Sequence, residues 1–483
     1  MAILEMLERQ GVAAKRLTAD SRRVQPGDVF VAFPGAHVDG RDFIAQAVAN
    51  GAAAVLAEAG VPATTKVRAG DTAIVEVAGL AALSGEIAHL VYGRPSERLW
   101  LAGVTGTNGK TSVSQWIAQA MDALGQRCAV VGTLGNGFVD ALAESPNTTP
   151  DALTLHAALA GFLARGAQAC AMEVSSIGLD QGRANGAAFD VAVFTNLTRD
   201  HLEYHGTMEA YAAAKEKLFA MPGLGAAVIN LDDAFGVELA RRLRGRLPVL
   251  GYTLGASAAG TDEVLRAENL RMGAAGIEFE LNGTTLAAPV VGRFNASNLL
   301  AVAGALLTRG ESLEAIAAAL PAIRPPPGRM QALGGHGMPL VVVDYAHTPD
   351  ALEKALGVLR ETATARGGSL VCVFGCGGER DPGKRPQMGA IAEALADRVL
   401  LTSDNPRGED AHAIIAAIAA GMRRAPQVEA DRAQAVAEAV ADAGARDVVL
   451  LAGKGHEPYQ EIAGVRHPYS DLDAAKSALE ARR

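Results

Sequence analysis

Residues 101–112 read LAGVTGTNGKTS. An apolar stretch, Leu101 to Val104, runs into the turn Gly106-Thr107-Asn108-Gly109. Lys110, Thr111 and Ser112 follow, and a helical pattern is expected over Ser112–Leu124. A strand that feeds a helix through such a turn aims backbone N–H groups inward, and the helix N-terminus adds positive potential. The loop can therefore cradle phosphates. Lys110 is placed to reach the outer phosphates of a nucleotide, and Thr111 to offer its hydroxyl to Mg²⁺. The spacing departs from the usual G-x-x-x-x-G-K-[ST] loop, because its first-glycine position holds Val104. The plain alternative is a glycine-rich turn without a ligand. GKT in a strand–turn–helix setting favours phosphate.

The loop opens the second of three blocks. The first block, residues 1–98, alternates short β-like runs (Asp28–Phe33, Ala73–Val77) with helical stretches and ends at YGRPSER, a linker-type cluster. The second, residues 99–327, closes at PAIRPPPG, where four prolines in eight residues stop any helix. The third, residues 328–483, repeats strand and helix. Its apolar runs Leu340–Val343, Leu370–Phe374, Val399–Leu401 and Val448–Leu451 are short and unalternated. That pattern marks buried parallel strands of a doubly wound sheet. The expected fold is α/β, in three domains.

Composition agrees. The 483 residues suggest about three domains. They are 49% hydrophobic and 20% charged, hence globular. Aromatics are 4%, so the core must be small and aliphatic. The net charge of -9 argues against a general nucleic-acid binder. No apolar run is long enough to span a membrane, and the N-terminal residues lack a basic leader pattern. Four cysteines are too few for a disulfide framework, and Cys372 and Cys376 lack further metal ligands at suitable spacing. A reduced, cytoplasmic protein is expected.

Several residues stand out as candidates for chemistry. Glu173 follows the apolar run Cys170–Met172, where a strand would end, and a carboxylate there can meet Mg²⁺. His201 and His205, four apart, could share a helix face as a zinc pair, but no third ligand presents itself. Lys215, in YAAAKEKLF, reads from composition alone as a solvated helical lysine, as does Lys217.

GTNGKT resembles the loop of the Mur ligases and the related folylpolyglutamate synthetases, ATP-dependent enzymes that join an amino acid to a carboxylate. NTTP (147–150), EVSS (173–176), Gln181 with Arg183, NLTRDH (196–201), DYAHTP (344–349), DNPR (404–407) and GKGHE (453–457) follow in the expected order. The set spans essentially the whole chain and is similar to that of the diaminopimelate-adding Mur ligases. The resemblance implies a UDP-binding N-terminal α/β domain, a central P-loop ATPase-like domain and a Rossmann-like C-terminal domain. It implies addition of meso-2,6-diaminopimelate to the D-Glu γ-carboxylate of UDP-MurNAc-L-Ala-D-Glu through an acyl phosphate, in peptidoglycan precursor synthesis. A monomer with no nucleic-acid or membrane partner is expected.

Site roles carry over by resemblance, motif by motif. ATP would bind Gly106, Thr107, Asn108, Gly109, Lys110, Thr111 and Ser112. Asn295 and Arg329 would lie on the adenine and ribose side, and Asp344 and His347 would approach from the third block. Two Mg²⁺ ions would be held, one by Thr111 and Glu173, the other by His201 and a carbamylated Lys215. The nucleotide-peptide would meet Ala19, Ser21, Ala36, His37, Val38, Asn147, Thr148, Thr149, Ser175, Gln181 and Arg183. Diaminopimelate would meet Arg380, Asp404, Asn405, Pro406, Arg407, Gly453 and Glu457. Lys110, Glu173, His201, Lys215 and Arg183 would carry the catalysis. A folate-directed ligase is disfavoured by the N-terminal block. A nucleotide-binding regulator would leave DNPR and GKGHE without a task.

Overall fold

The computed structural model describes residues 2–35, 38–60, 72–255, 261–273, 276–335 and 337–482. The fold is α/β, built on three main sheets. The N-terminal sheet is parallel, with strands Leu17–Thr18, Val29–Ala32, Ala54–Glu58 and Ala73–Val77 in sequence order. Its two faces carry separate small cores, one around Leu7, Val31 and Leu80, the other around Phe30 and Ile44.

The central sheet sets the site. Among the described residues it has nine strands, with Trp100–Thr105 in the middle between Val191–Phe194 and Ala169–Glu173. All pairings are parallel except the two at the edge made by Gly135–Phe138 and Ala141–Ala143. Helix Lys110–Ala123 packs Val113, Trp116, Ile117 and Met121 against one face, beneath helix Arg293–Arg309 with Leu299, Val302 and Leu306. The opposite face is covered by Leu155, Leu159, Phe162, Phe189 and Leu239. Ala, Val and Leu fill most of both layers, as the low aromatic content requires. A three-stranded antiparallel sheet, Glu268–Gly273, Gly276–Leu281 and Thr284–Ala288, adds Phe279 and Leu286 to the first face.

The C-terminal sheet orders its strands Gln331–Gly334, Leu340–Asp344, Val448–Ala452, Leu370–Phe374, Arg398–Leu401 and Gln427–Val428, and only the first pairs antiparallel. Helix Pro349–Arg366 covers one face through Leu352, Leu356 and Leu359, and helix Arg432–Asp442 the other through Val436 and Val440. All four cysteines are free and buried. In both large sheets the functional loops leave the carboxyl ends of strands, where parallel sheets present ligand sites.

Candidate active site

The phosphate-type loop is tighter than the sequence suggested. The helix begins at Lys110, not Ser112, because Gly109 turns left-handed (φ 89) and sends the chain straight into it. A side chain at 109 would place Cβ 2.6 Å from Asn298 Oδ1, so the close approach of helix Arg293–Arg309 demands glycine. Lys110 Nζ donates to the carbonyls of Gly106 and Thr107, both at 2.9 Å. Lys215 Nζ donates to the same Gly106 oxygen at 2.8 Å. Lys215 is 1% exposed and lies 4.2 Å from the centre of the Tyr211 ring. Composition alone read this lysine as solvated; helix Met208–Glu216 turns it inward instead. Burial, then the nearby Lys110 charge, push it well below the ordinary lysine range. Burial also lowers Lys110, against the attraction of Glu173 and Asp200. Lys217 is half-exposed in an ion pair with Asp180.

Glu173 ends its strand fully buried. One carboxylate oxygen accepts from the hydroxyls of Thr111 (2.9 Å) and Thr133 (3.1 Å), and the other from the Thr133 N–H (2.8 Å). Arg329 Nη2 donates to the Thr111 hydroxyl at 3.1 Å, with its guanidinium 4.4 Å from the Tyr345 ring centre. Its Nη1 is buried and without a partner among the described residues, the situation of a donor that awaits an anion. Asn295 donates to Val291 O and accepts from Asn298 at 3.0 Å, one helical turn from the close approach at Gly109. Among the described residues no group of three or more His, Cys, Asp or Glu could hold a metal ion. Thr111 and Glu173 supply two hard oxygens side by side, which suits a Mg²⁺ ion whose shell is completed by phosphate and water.

Between the central and C-terminal sheets lies Asp200, a buried carboxylate the sequence did not single out. Its Oδ2 is 3.4 Å from His201 Nε2 and 3.7 Å from His347 Nε2. Burial alone would raise it. The close approach of His347 and the charges of His201, His347 and Lys384 outweigh that and hold it far below the carboxylate range. His201 adopts a left-handed backbone (φ 54), with Glu203 3.5 Å from its Nδ1. Two more contacts span the gap: Arg199 forks onto Asp381 at 2.8 and 3.1 Å, and Asn108 donates to Asp350 at 2.7 Å. Asp344 accepts from Met330 N–H at 2.7 Å.

The peptide-side candidates gather behind Glu173. The Thr149 hydroxyl donates to Glu173 O (2.9 Å) and accepts from Ser175 N–H (3.0 Å), so it is spent inside the fold. Thr148 pairs with Thr133 at 3.0 Å, and Asn147 is exposed. Ser175 caps the helix Ser176–Asp180. Arg183 donates to Thr149 O and Gln181 Oε1. In the N-terminal sheet Ser21 is turned inward onto Gln46 at 2.7 Å, while Ala19 and Val38 are exposed. Ala36 and His37 lie outside the described residues.

At the carboxyl ends of the C-terminal strands, Asp404–Arg407 and Gly453–Glu457 face each other. Asn405 Nδ2 donates to Glu457 Oε2 at 2.8 Å. Lys454, 0% exposed, donates to Asn405 Oδ1 and to Glu457 Oε2, both at 2.9 Å. Gly453 is left-handed (φ 112), and a side chain there would put Cβ 2.5 Å from Asp404 Oδ2. Arg407 (φ 50) donates from Nη1 to Gly378 O at 2.8 Å and lies 3.6 Å from Glu461. Pro406 follows Asn405 in the same loop, and Arg380 is exposed nearby in the loop after Leu370–Phe374. A lysine between glycines in a polar motif reads as solvated, so only the folded structure reveals Lys454. Asp200 was within reach as the acidic member of NLTRDH.

Comparison with known proteins bears on this geometry. Sequence models described as Mur ligase family, catalytic domain, Mur ligase middle domain, and Mur ligase, glutamate ligase domain match residues 14–92, 104–306 and 328–455. The chain is 56% identical, over 97% of its length and 95% of the relative's, to the UDP-N-acetylmuramoyl-L-alanyl-D-glutamate--2,6-diaminopimelate ligase of Pseudomonas aeruginosa. It is 52% identical, over 99% and 96%, to the ligase of the same name from Ralstonia nicotianae. A solved structure of a protein of that name superposes with a TM-score of 0.66 at 39% identity, covering 97% of this chain and 95% of that one. The MurF ligase of Thermotoga maritima shares the fold at 18% identity, with a TM-score of 0.67 and coverage of 98% and 99%. The chain belongs to the Mur ligase family.

Proposed function

We propose that this chain is the ligase that adds meso-2,6-diaminopimelate to the D-Glu γ-carboxylate of UDP-MurNAc-L-Ala-D-Glu, with ATP converted to ADP and phosphate. The observation that carries the reading is a juxtaposition. The GTNGKT loop, with Lys110, the Lys215 ammonium that bonds to it and Glu173, faces, across the Asn108–Asp350 and Arg199–Asp381 contacts, a sheet whose strand ends present Asn405, Arg407 and Glu457. Phosphoryl transfer and amine attack need such adjacency, because most of the catalysis is positioning and charge neutralisation.

In this reading residues 1–98 hold the UDP part, with Ser21 and the loop through Val38. Residues 99–327 hold ATP and residues 328–483 the amino acid. Lys110 and Arg329 neutralise the phosphates, and Arg183 steadies the acceptor carboxylate. A Mg²⁺ held by Thr111 and Glu173, with a second at His201, would supply charge neutralisation when bound. The γ-phosphoryl group passes to a carboxylate oxygen, and ADP leaves. The free amine of diaminopimelate forms a bond to the acyl carbon, the C–O bond to phosphate breaks, and the amine gives up a proton. Burial and the Lys110 charge push Lys215 well below the ordinary lysine range, which favours the neutral amine whose lone pair reaction with CO₂ requires, and its carbamate would supply an anion for the second Mg²⁺.

The test is ADP release with each substrate omitted in turn. Turnover is expected only with ATP, the nucleotide-dipeptide and diaminopimelate together. ADP formation independent of the nucleotide-dipeptide, or a tripeptide product carrying lysine in preference to diaminopimelate, would overturn the assignment.

A further inference from the structure

Lys454 has no exposed surface; it sits between the buried Gly453 and Gly455, while His456 and Glu457 of the same motif are partly exposed. Its ammonium touches Asn405 Oδ1 and Glu457 Oε2 at 2.9 Å and lies 3.8 Å from Asp404 Oδ1. Asn405 donates to the same Glu457 oxygen at 2.8 Å. Lys454 thus bridges Asn405 and Glu457 and, together with the Glu461 N–H that donates to the same Asn405 oxygen at 2.9 Å, fixes their rotamers. The other Glu457 oxygen accepts from the Tyr345 hydroxyl at 3.4 Å. A second buried cation lies beneath. Arg432, also 0% exposed, forks onto Asp471 at 2.8 Å and donates to Ser403 O (3.1 Å) and Ala452 O (2.9 Å). Those carbonyls immediately precede Asp404 and Gly453, so Arg432 ties the roots of the two loops and Lys454 ties their tips.

A buried ammonium is costly unless paired, and packing alone is served better by Leu or Met. A charge retained between Asp404 and Glu457 therefore points to the electrostatics of the cluster. We propose that Lys454 is a positioning residue for the incoming amino acid. It cancels one of the two carboxylate charges, and it holds Asn405 and Glu457 so that the second amide hydrogen of Asn405 and the remaining lone pairs of Glu457 address a zwitterion. The inference rests on reading this cluster as the amino-acid site.

The test is a cycle of Lys454→Met, Glu457→Gln and the double variant, with KM measured for all three substrates. Lys454→Met is expected to raise KM for diaminopimelate about tenfold or more while KM for ATP and for the nucleotide-dipeptide stays within about twofold. In the Glu457→Gln background the same change should add less than about threefold, because its route of action is already gone. An unchanged diaminopimelate KM, equal rises for all substrates, or fully multiplicative losses would reduce Lys454 to a fold-stabilising residue. If Lys454→Met does not fold, Lys454→Gln, which keeps a donor without the charge, is scored by the same criteria. A wild-type enzyme that ignores diaminopimelate but adds another amino acid refutes the substrate reading, and the cycle is then scored with that amino acid.

Discussion

Lys110 and Lys215 both donate to the carbonyl oxygen of Gly106, at 2.9 and 2.8 Å. Two ammonium groups on one acceptor repel, and the conflict is relieved when one amine is neutral. Burial and Lys110 both act against the charge of Lys215 and push it well below the ordinary lysine range, so it is the amine inclined to give up its proton. Lys215→Ala should leave the enzyme nearly inactive, with partial recovery when short-chain carboxylates are added to replace the carbamate. Activity of the variant near the wild-type level, together with no mass increment of a carbamate on the wild type, would refute this. Lys110→Ala should abolish ADP formation at unchanged circular dichroism, and near-normal turnover by the folded variant would remove Lys110 from the phosphate site. The sequence showed Lys110 by its setting. Lys215 was visible only through the family pattern, because nothing in YAAAKEKLF says which face of the helix is buried.

At the scale of elements, strands were easier to read than loops. Leu370–Phe374 and Val448–Ala452 are buried on both faces, and an apolar run without alternation states that directly. What loops do depends on partners distant in the chain. Arg407 is an example: its left-handed backbone and its bond to Gly378 O hold the guanidinium between that loop and Glu461, a placement no local rule gives. Diaminopimelate differs from lysine by one distal carboxylate, which a planar cation can grip. Arg407→Ala should therefore lower kcat/KM for diaminopimelate at least about tenfold, the loss of a charged hydrogen bond worth roughly 1.5–3 kcal/mol, and lower it far less for lysine. An unchanged ratio of the two would exclude Arg407 from selectivity. Helix Ala152–Ala164 offers a pH-dependent case. His156 is fully buried, its Nε2 pairs with Asn185 O at 3.0 Å, and its Nδ1 has no partner among the described residues. Burial lowers it from 6.5 to about 4. The unfolded chain takes up this proton near pH 6.5 and the folded chain only near 4, so stability falls as pH drops through that window. The full loss is about 3 kcal/mol. Urea midpoints at pH 7 and 4.5 should differ less in His156→Gln than in the wild type; equal differences would mean the acid sensitivity arises elsewhere.

At the scale of the whole molecule, polar contacts between loops tie the central and C-terminal parts across the site, Arg329–Thr111 among them. Asn108–Asp350, Asp200–His347 and Arg199–Asp381 join the central and C-terminal sheets, and each comes from a loop that carries or flanks a site residue. None could be anticipated from the chain, since the partners are between 147 and 242 residues apart. Arg199–Asp381 is the strongest of them in geometry, a two-pronged pair with Asp381 buried and Arg199 partly exposed. Burial opposes ionisation of Asp381, and the hydrogen bonds it accepts from Arg199 and from the Gly383 N–H outweigh that. The pair links the NLTRDH loop, with Asp200 and His201, to the loop that leads into Lys384. It should therefore favour the closed arrangement in which both halves of the reaction meet. A partly exposed pair of this kind is worth about 1 kcal/mol. Arg199→Ala and Asp381→Asn should each reduce kcat/KM about three- to tenfold, and the double variant should be no worse than the poorer single one. X-ray scattering should show a larger radius of gyration for each variant under saturating substrates. Fully multiplicative kinetic losses, or scattering identical to that of the wild type, would mean that closure does not depend on this pair.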